Sequence, residues 1–171
     1  MIPRPIAIAL LGALVLAGCA TTQKLSAGPD VHALLVAIRD GDQATFDAHV
    51  DRRALEAQLQ SRLVRRLAGA DVSDEWKALG VVLAGPASRV AGGLLLQPEV
   101  FRTVAEYYGY TRGTPIPNSL MIAGALKALP DGRVCATRHR HGDCLLTFAD
   151  EDGVWRLVSF DGEADMLRKI P

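Results

Sequence analysis

Residues 130–160 read PDGRVCATRHRHGDCLLTFADEDGVWRLVSF, and the architecture turns on how that run divides. Pro130-Asp131-Gly132 and Asp152-Gly153 carry turn chemistry: a preset φ, a side-chain acceptor and a glycine free to take positive φ. Between and after them lie Arg133–Arg138, Cys144–Ala149 and Val154–Phe160, three runs short enough and apolar enough to be strands of one antiparallel sheet. Just upstream, Ile122–Leu129 reads as a fourth strand, while Leu120–Leu129 reads equally well as a short helix. The sheet therefore has three to four strands.

Working toward the N-terminus, the period changes from 2 to 3.6. Val31, Leu34, Leu35 and Ile38 fall on one helical stripe, with Asp30 as N-cap and Gly41 as the C′ residue. Asp42 caps a second, short helix carrying Phe46 and Val50. Asp51 caps a third with Leu55, Leu59, Leu63 and Leu67 inward, and Arg62, Arg65 and Arg66 near its C-terminal end, where the macrodipole favours cations. Those arginines read as a solvated face. Ser73 caps a helix bearing Trp76, Leu79 and Leu83. Pro86 and Pro98 suit the first turns of two more helices, the last ending at Gly109. Ala78–Leu96 is the most apolar part of this region, but Gly85-Pro86, Arg89 and Gly92-Gly93 argue against a spanning helix, leaving a buried or partly lipid-facing hairpin. Val100, Phe101, Val104 and Tyr108 form an amphipathic face suited to covering the sheet, and Gly109–Asn118 is a loop. The fold class is α+β, N-terminal helices packed on a C-terminal antiparallel sheet.

The N-terminus is different in kind. Arg4 precedes an apolar run, Ile6–Leu16, and Leu16-Ala17-Gly18-Cys19 follows it. A cation, a short apolar stretch and small residues describe a secretory signal. With cysteine after the cut, the pattern resembles the bacterial lipobox, which implies that Cys19 is diacylglycerated, becomes the first residue and is then N-acylated. The run is too short for a permanent span of ~20 residues. At ~0.8 kcal/mol per buried methylene, two or three acyl chains anchor a protein stably where one does not. Residues 1–18 are thus a signal peptide, 19–29 a lipidated cysteine and flexible tether, and 30–171 one domain. As a coil, the small and polar tether Ala20–Pro29 would span on the order of 15–20 Å. Ala20, rather than Asp, after the cysteine is similar to Gram-negative outer-membrane sorting signals, placing the body on the outer membrane facing the periplasm.

Removing residues 1–18 of 171 leaves 153, with 18 basic and 19 acidic residues. That near-neutral balance gives no basic face for nucleic acid. In an oxidising compartment Cys135 and Cys144 form a disulfide. A tight turn at His139-Arg140 would set Cys135 directly opposite Cys144, whereas a turn at His141-Gly142 would move the register. Cys135, His139, His141 and Cys144 are also the ligand types zinc takes, but their spacing fits no familiar finger, and no metal or other cofactor is expected. No nucleophile elbow, phosphate loop or helical histidine pair beside a glutamate is present. His32 and His49 read as surface or edge residues, and Asp40, Asp42, Asp47 and Asp51 as caps around two helix junctions. An enzyme is not expected.

Ala37-Ile38-Arg39-Asp40-Gly41-Asp42, His49-Val50-Asp51-Arg52-Arg53-Ala54-Leu55, Leu83-Ala84-Gly85-Pro86 and Gly153-Val154-Trp155-Arg156-Leu157 together resemble an uncharacterised family of proteobacterial envelope proteins known only as a domain of unknown function. The resemblance implies a small helix-then-sheet domain behind an N-terminal membrane signal and carries no active site. The run past Leu157 to Pro171 departs from the family's ending and reads as a short capping helix. The architecture is also similar to the cone-shaped nuclear-transport-factor-2-like fold. The expected role is that of a lipid-anchored envelope protein, attached to the membrane and working through an envelope protein partner. The alternative is a pocket for a small apolar ligand or lipid, lined by Trp76, Phe101, Leu146, Phe148 and Trp155.

Overall fold

The computed structural model describes residues 4–68, 96–107, 109–137 and 142–161. Helices α1 (Arg4–Asp40), α2 (Gln43–Ala48), α3 (Arg52–Ala68), α4 (Pro98–Tyr107) and α5 (Ser119–Ala125) precede strands β1 (Lys127–Ala128), β2 (Val134–Thr137), β3 (Cys144–Glu151) and β4 (Val154–Phe160). The strands form an antiparallel meander in sequence order, so the expected α+β class is the observed one. The segment that read as either helix or strand is both in turn, α5 and then β1. The helix proposed around Trp76 and the C-terminal capping helix lie outside the described residues.

Local signals placed most boundaries. Gly41, at φ +75°, donates its N–H to the Ala37 carbonyl at 2.9 Å and ends α1. The Asp42 carboxylate accepts from the Thr45 N–H at 3.1 Å and starts α2. Asp51 does the same for α3 through Ala54 at 3.0 Å. Pro98 opens α4, and Gly109, at φ +87°, follows it.

The start of α1 overturns an expectation. Residues 19–29 are not a flexible tether; one helix runs from Arg4 to Asp40 with Pro29 inside it. Proline in a helix interior costs ~3 kcal/mol, so packing must hold the segment. Ala27 is fully buried and Gly28 buried. Gly28 lies so close to α5 that a Cβ there would sit 2.5 Å from the Ser119 carbonyl oxygen and 3.1 Å from the Ala123 Cβ. Asp30, expected as an N-cap, is therefore an interior residue of α1. Among the described residues no helix is long and apolar enough to cross a membrane.

The core lies between α1 and the sheet. Ala27, Val31, Leu34 and Ala37 supply the helix stripe, and Val134, Phe148 and Leu157 face one another across three strands. Phe46 and Phe101 meet edge to face with ring centroids 5.3 Å apart, bringing α2 and α4 into the same core. Two bulges shape the sheet. Thr137 pairs with Cys144 while Ala136 pairs with Leu146, leaving Leu145 extra on β3; Val158 is extra on β4 between Leu157 and Ser159. Such insertions bend a strand and sharpen its twist.

Gly28→Ala tests the close approach of α1 and α5. The overpacking cost of about 1–3 kcal/mol exceeds the ~1 kcal/mol gained by replacing a helical glycine, so the urea midpoint should fall. A raised midpoint would mean that the two helices part freely.

Candidate functional site

β4 leaves one edge free of β3, and three of its backbone N–H groups along that edge are taken by three different parts of the helical layer. Trp155 N–H donates to Asp30 Oδ2 on α1 at 2.8 Å. Leu157 N–H donates to the His49 carbonyl at 2.9 Å, and the Leu157 carbonyl accepts from Asp51 N–H at 3.0 Å, a single parallel bridge centred on Val50. Phe160 N–H donates to Gln58 Oε1 on α3 at 3.1 Å, while Gln58 Nε2 donates to Ser159 Oγ at 2.7 Å. Arg156 Nε reaches the Ala48 carbonyl at 3.1 Å, and Arg62 pairs with Asp161 just past the strand.

At the centre of this seam lie Ser26, Asp30, His49 and Trp155. The indole Nε1–H donates to Ser26 Oγ at 3.1 Å, and Ser26 Oγ donates to the Gln23 carbonyl at 2.9 Å. His49 Nδ1 lies 2.8 Å from the Thr45 carbonyl, which can only accept, so that nitrogen carries the hydrogen. His49 Nε2 faces Asp30 Oδ1 at 3.5 Å. Serine, histidine and aspartate are the residue types of an acyl-transfer relay, but here the serine oxygen is engaged by Gln23 and Trp155, the imidazole Nδ1 by Thr45 and the Asp30 carboxylate by the Trp155 N–H. The four side chains form a structural joint between α1, α2 and β4.

Several sequence expectations meet the structure here. His49, read as a surface or edge residue, has a side chain only 14% exposed and is part of the joint. Of the four aspartates expected as caps, Asp42 and Asp51 cap α2 and α3, whereas Asp40 pairs with the Arg39 guanidinium and Asp47 with Gln43 and Arg52. The Asp42 carboxyl is held below the usual carboxylate range by hydrogen bonds from the Thr45 hydroxyl and amide, and that of Asp40 by the Arg39 guanidinium. Asp47 accepts from Gln43 at 2.8 Å and from Arg52, and Asp51 caps α3. At the β1–β2 turn, Arg133 lowers the Asp131 carboxyl in the same way.

Cys135 and Cys144 are bonded, with Cα atoms 5.6 Å apart. The expected register is corrected, because Cys135 faces Thr147 and Cys144 faces Thr137. The bulge makes the bond reachable. Without the extra Leu145, Cys144 would alternate onto the opposite face of the sheet from Cys135; with it, both share a face. His139 and His141, the other members of the zinc reading, lie outside the described residues, and the two sulfurs are occupied by each other. Of the pocket candidates, Phe148 and Trp155 are buried in the core cluster, Phe101 and Leu146 pack against it, and Trp76 lies outside the described residues. The four described candidates thus belong to the core cluster or its margin. Cys19 lies on α1, eight residues before Ala27.

The protein-family model described as a protein of unknown function, DUF2939, matches residues 12–103, more than half of the chain. The chain belongs to the DUF2939 family. The matched span of this DUF2939 protein holds α1 from residue 12 onward, α2, α3 and the first part of α4, whereas the sheet and the Gly153–Leu157 ending fall outside it. No curated protein and no solved structure matches the chain.

Asp30→Ala leaves the Trp155 N–H without its acceptor and should cost about 1–3 kcal/mol, read from urea unfolding. Asp30→Asn keeps an oxygen acceptor and should recover most of that loss; equal loss in both variants would place the cost in the charge facing His49 instead. Reducing the disulfide, whose cysteines are 9 residues apart, should lower stability by about 2–3 kcal/mol on the chain-entropy estimate, and an unchanged midpoint in reductant would contradict that.

Proposed function

We propose that this DUF2939 protein is a lipid-anchored lipoprotein of the Gram-negative, proteobacterial cell envelope, carried by the outer membrane, facing the periplasm and acting through contacts with another envelope protein. The observation that carries the reading is the order Arg4, apolar Ile6–Leu16, Leu16-Ala17-Gly18-Cys19, a cation, a short apolar run and small residues ahead of a cysteine, which resembles a lipoprotein signal. The Cys135–Cys144 bond supports it, since such bonds persist in oxidising compartments. The joint at β4 supports a non-enzymatic role, because its serine, histidine and carboxylate are committed to holding helices on the sheet.

Under this reading α1 from Cys19 onward serves as a rigid stalk continuous with the domain core. Metabolic labelling with an alkyne fatty acid, followed by intact-mass analysis, tests it. The wild-type chain should carry label, lack residues 1–18 and fractionate with outer membrane. Cys19→Ser should lose the label and retain the leader. Label surviving in Cys19→Ser, or a wild-type chain that keeps Met1, would remove the proposal.

A further inference from the structure

We propose that Leu25, Leu120 and Met121 form a contact patch that seats the folded body on an anionic phospholipid bilayer. Four large apolar side chains are exposed among the described residues: Leu25 at 49%, Tyr110 at 64%, Leu120 at 71% and Met121 at 64%. Three of the four border one place, the crossing of α1 and α5. Gly28 touches the Ser119 carbonyl there; Leu120 and Met121 follow Ser119, and Leu25 lies one turn before Gly28. Tyr110 is on neither helix of the crossing; it lies in the loop after α4, where its N–H donates to the Ala105 carbonyl at 3.0 Å. Singly scattered apolar residues need no explanation, but a gathered set does.

Charge and continuity identify the occupant. Residues 19–29 contain Lys24 and no acidic residue, and residues 109–130 contain Arg112 and Lys127 and no acidic residue, in a chain with 19 acids among 171 residues. Asp30, the first acid beyond the patch on α1, is turned toward β4. An apolar centre flanked by lysines suits an interface whose headgroups are anionic and whose interior is acyl chain. Leu25 stands six residues, about 9 Å of helical rise, from Cys19, and α1 does not break between them. The patch is too small to hold the protein on a membrane by itself; it fixes which side of an anchored body faces the lipid. It thus rests on the lipid-anchor reading.

The full lipidated chain is reconstituted in phosphatidylethanolamine–phosphatidylglycerol vesicles, with a nitroxide on Leu25→Cys, Leu120→Cys or Tyr110→Cys. Collisional relaxation by oxygen and by a soluble nickel chelate is then compared. Labels at 25 and 120 should favour oxygen severalfold over the label at 110, and Met121→Glu should shift the label at 120 toward nickel while the protein still floats with the vesicles. A nickel-accessible label at 120 on floating protein overturns the patch and leaves the anchor intact. So does a label shielded from both reagents, which would mean that protein and not lipid covers the site. Protein that does not float overturns the anchor and the patch together.

Discussion

The free edge of β4 is the constraint around which the helices are arranged. A strand edge presents N–H groups that must be paired or wetted, and burying one without a partner costs about 1–3 kcal/mol. β4 meets this requirement with acceptors of three kinds: a carboxylate from α1, a main-chain carbonyl from the α2–α3 junction and a side-chain amide from α3. Each acceptor reaches only if its helix lies at one angle and height against the sheet. The hydrogen bonds along one strand therefore orient three helices, while the row Val134–Phe148–Leu157 supplies the apolar contact that holds them there.

How much of this was legible in the sequence follows from the range of each interaction. Asp42, Asp51, Gly41, Pro98 and the turn residues act within four positions of themselves, and the elements they bound were readable. Asp30 carries the same local signal as Asp42, a carboxylate ahead of an apolar stripe, yet its partner lies 125 residues away and it sits inside a helix. Gly28-Pro29 reads locally as a break. Only the arrival of α5, ninety residues later, makes a glycine the residue that fits. The cysteine pair was recognisable from compartment and count, but its register depended on a bulge at Leu145, which alternation alone does not reveal.

The family match sharpens the same point. It ends at residue 103, yet Asp30, the His49 carbonyl, Asp51 and Gln58, all inside it, address atoms of residues 155–160, more than fifty positions beyond. The matched helices and the α2–α3 junction carry groups that find these partners only when a strand from outside the span docks on them. A helical layer of this kind needs an edge strand, which makes the sheet a structural requirement of the matched region in this chain.

One helix also joins two roles that a tether would keep apart. Between residues 20 and 30, α1 leaves the apolar leader and supplies Ser26 and Asp30 to Trp155, Ala27 to the core and Gly28 to α5. A coil in that place would let the body drift and turn independently of anything attached at Cys19. A helix packed on both flanks transmits its direction to the whole domain, so under the lipid-anchor reading the body has one orientation relative to its anchor. Pro29 is consistent with this coupling, because its helical cost of ~3 kcal/mol is sustained where the flanking residues are packed on either side and would end the helix where they are not.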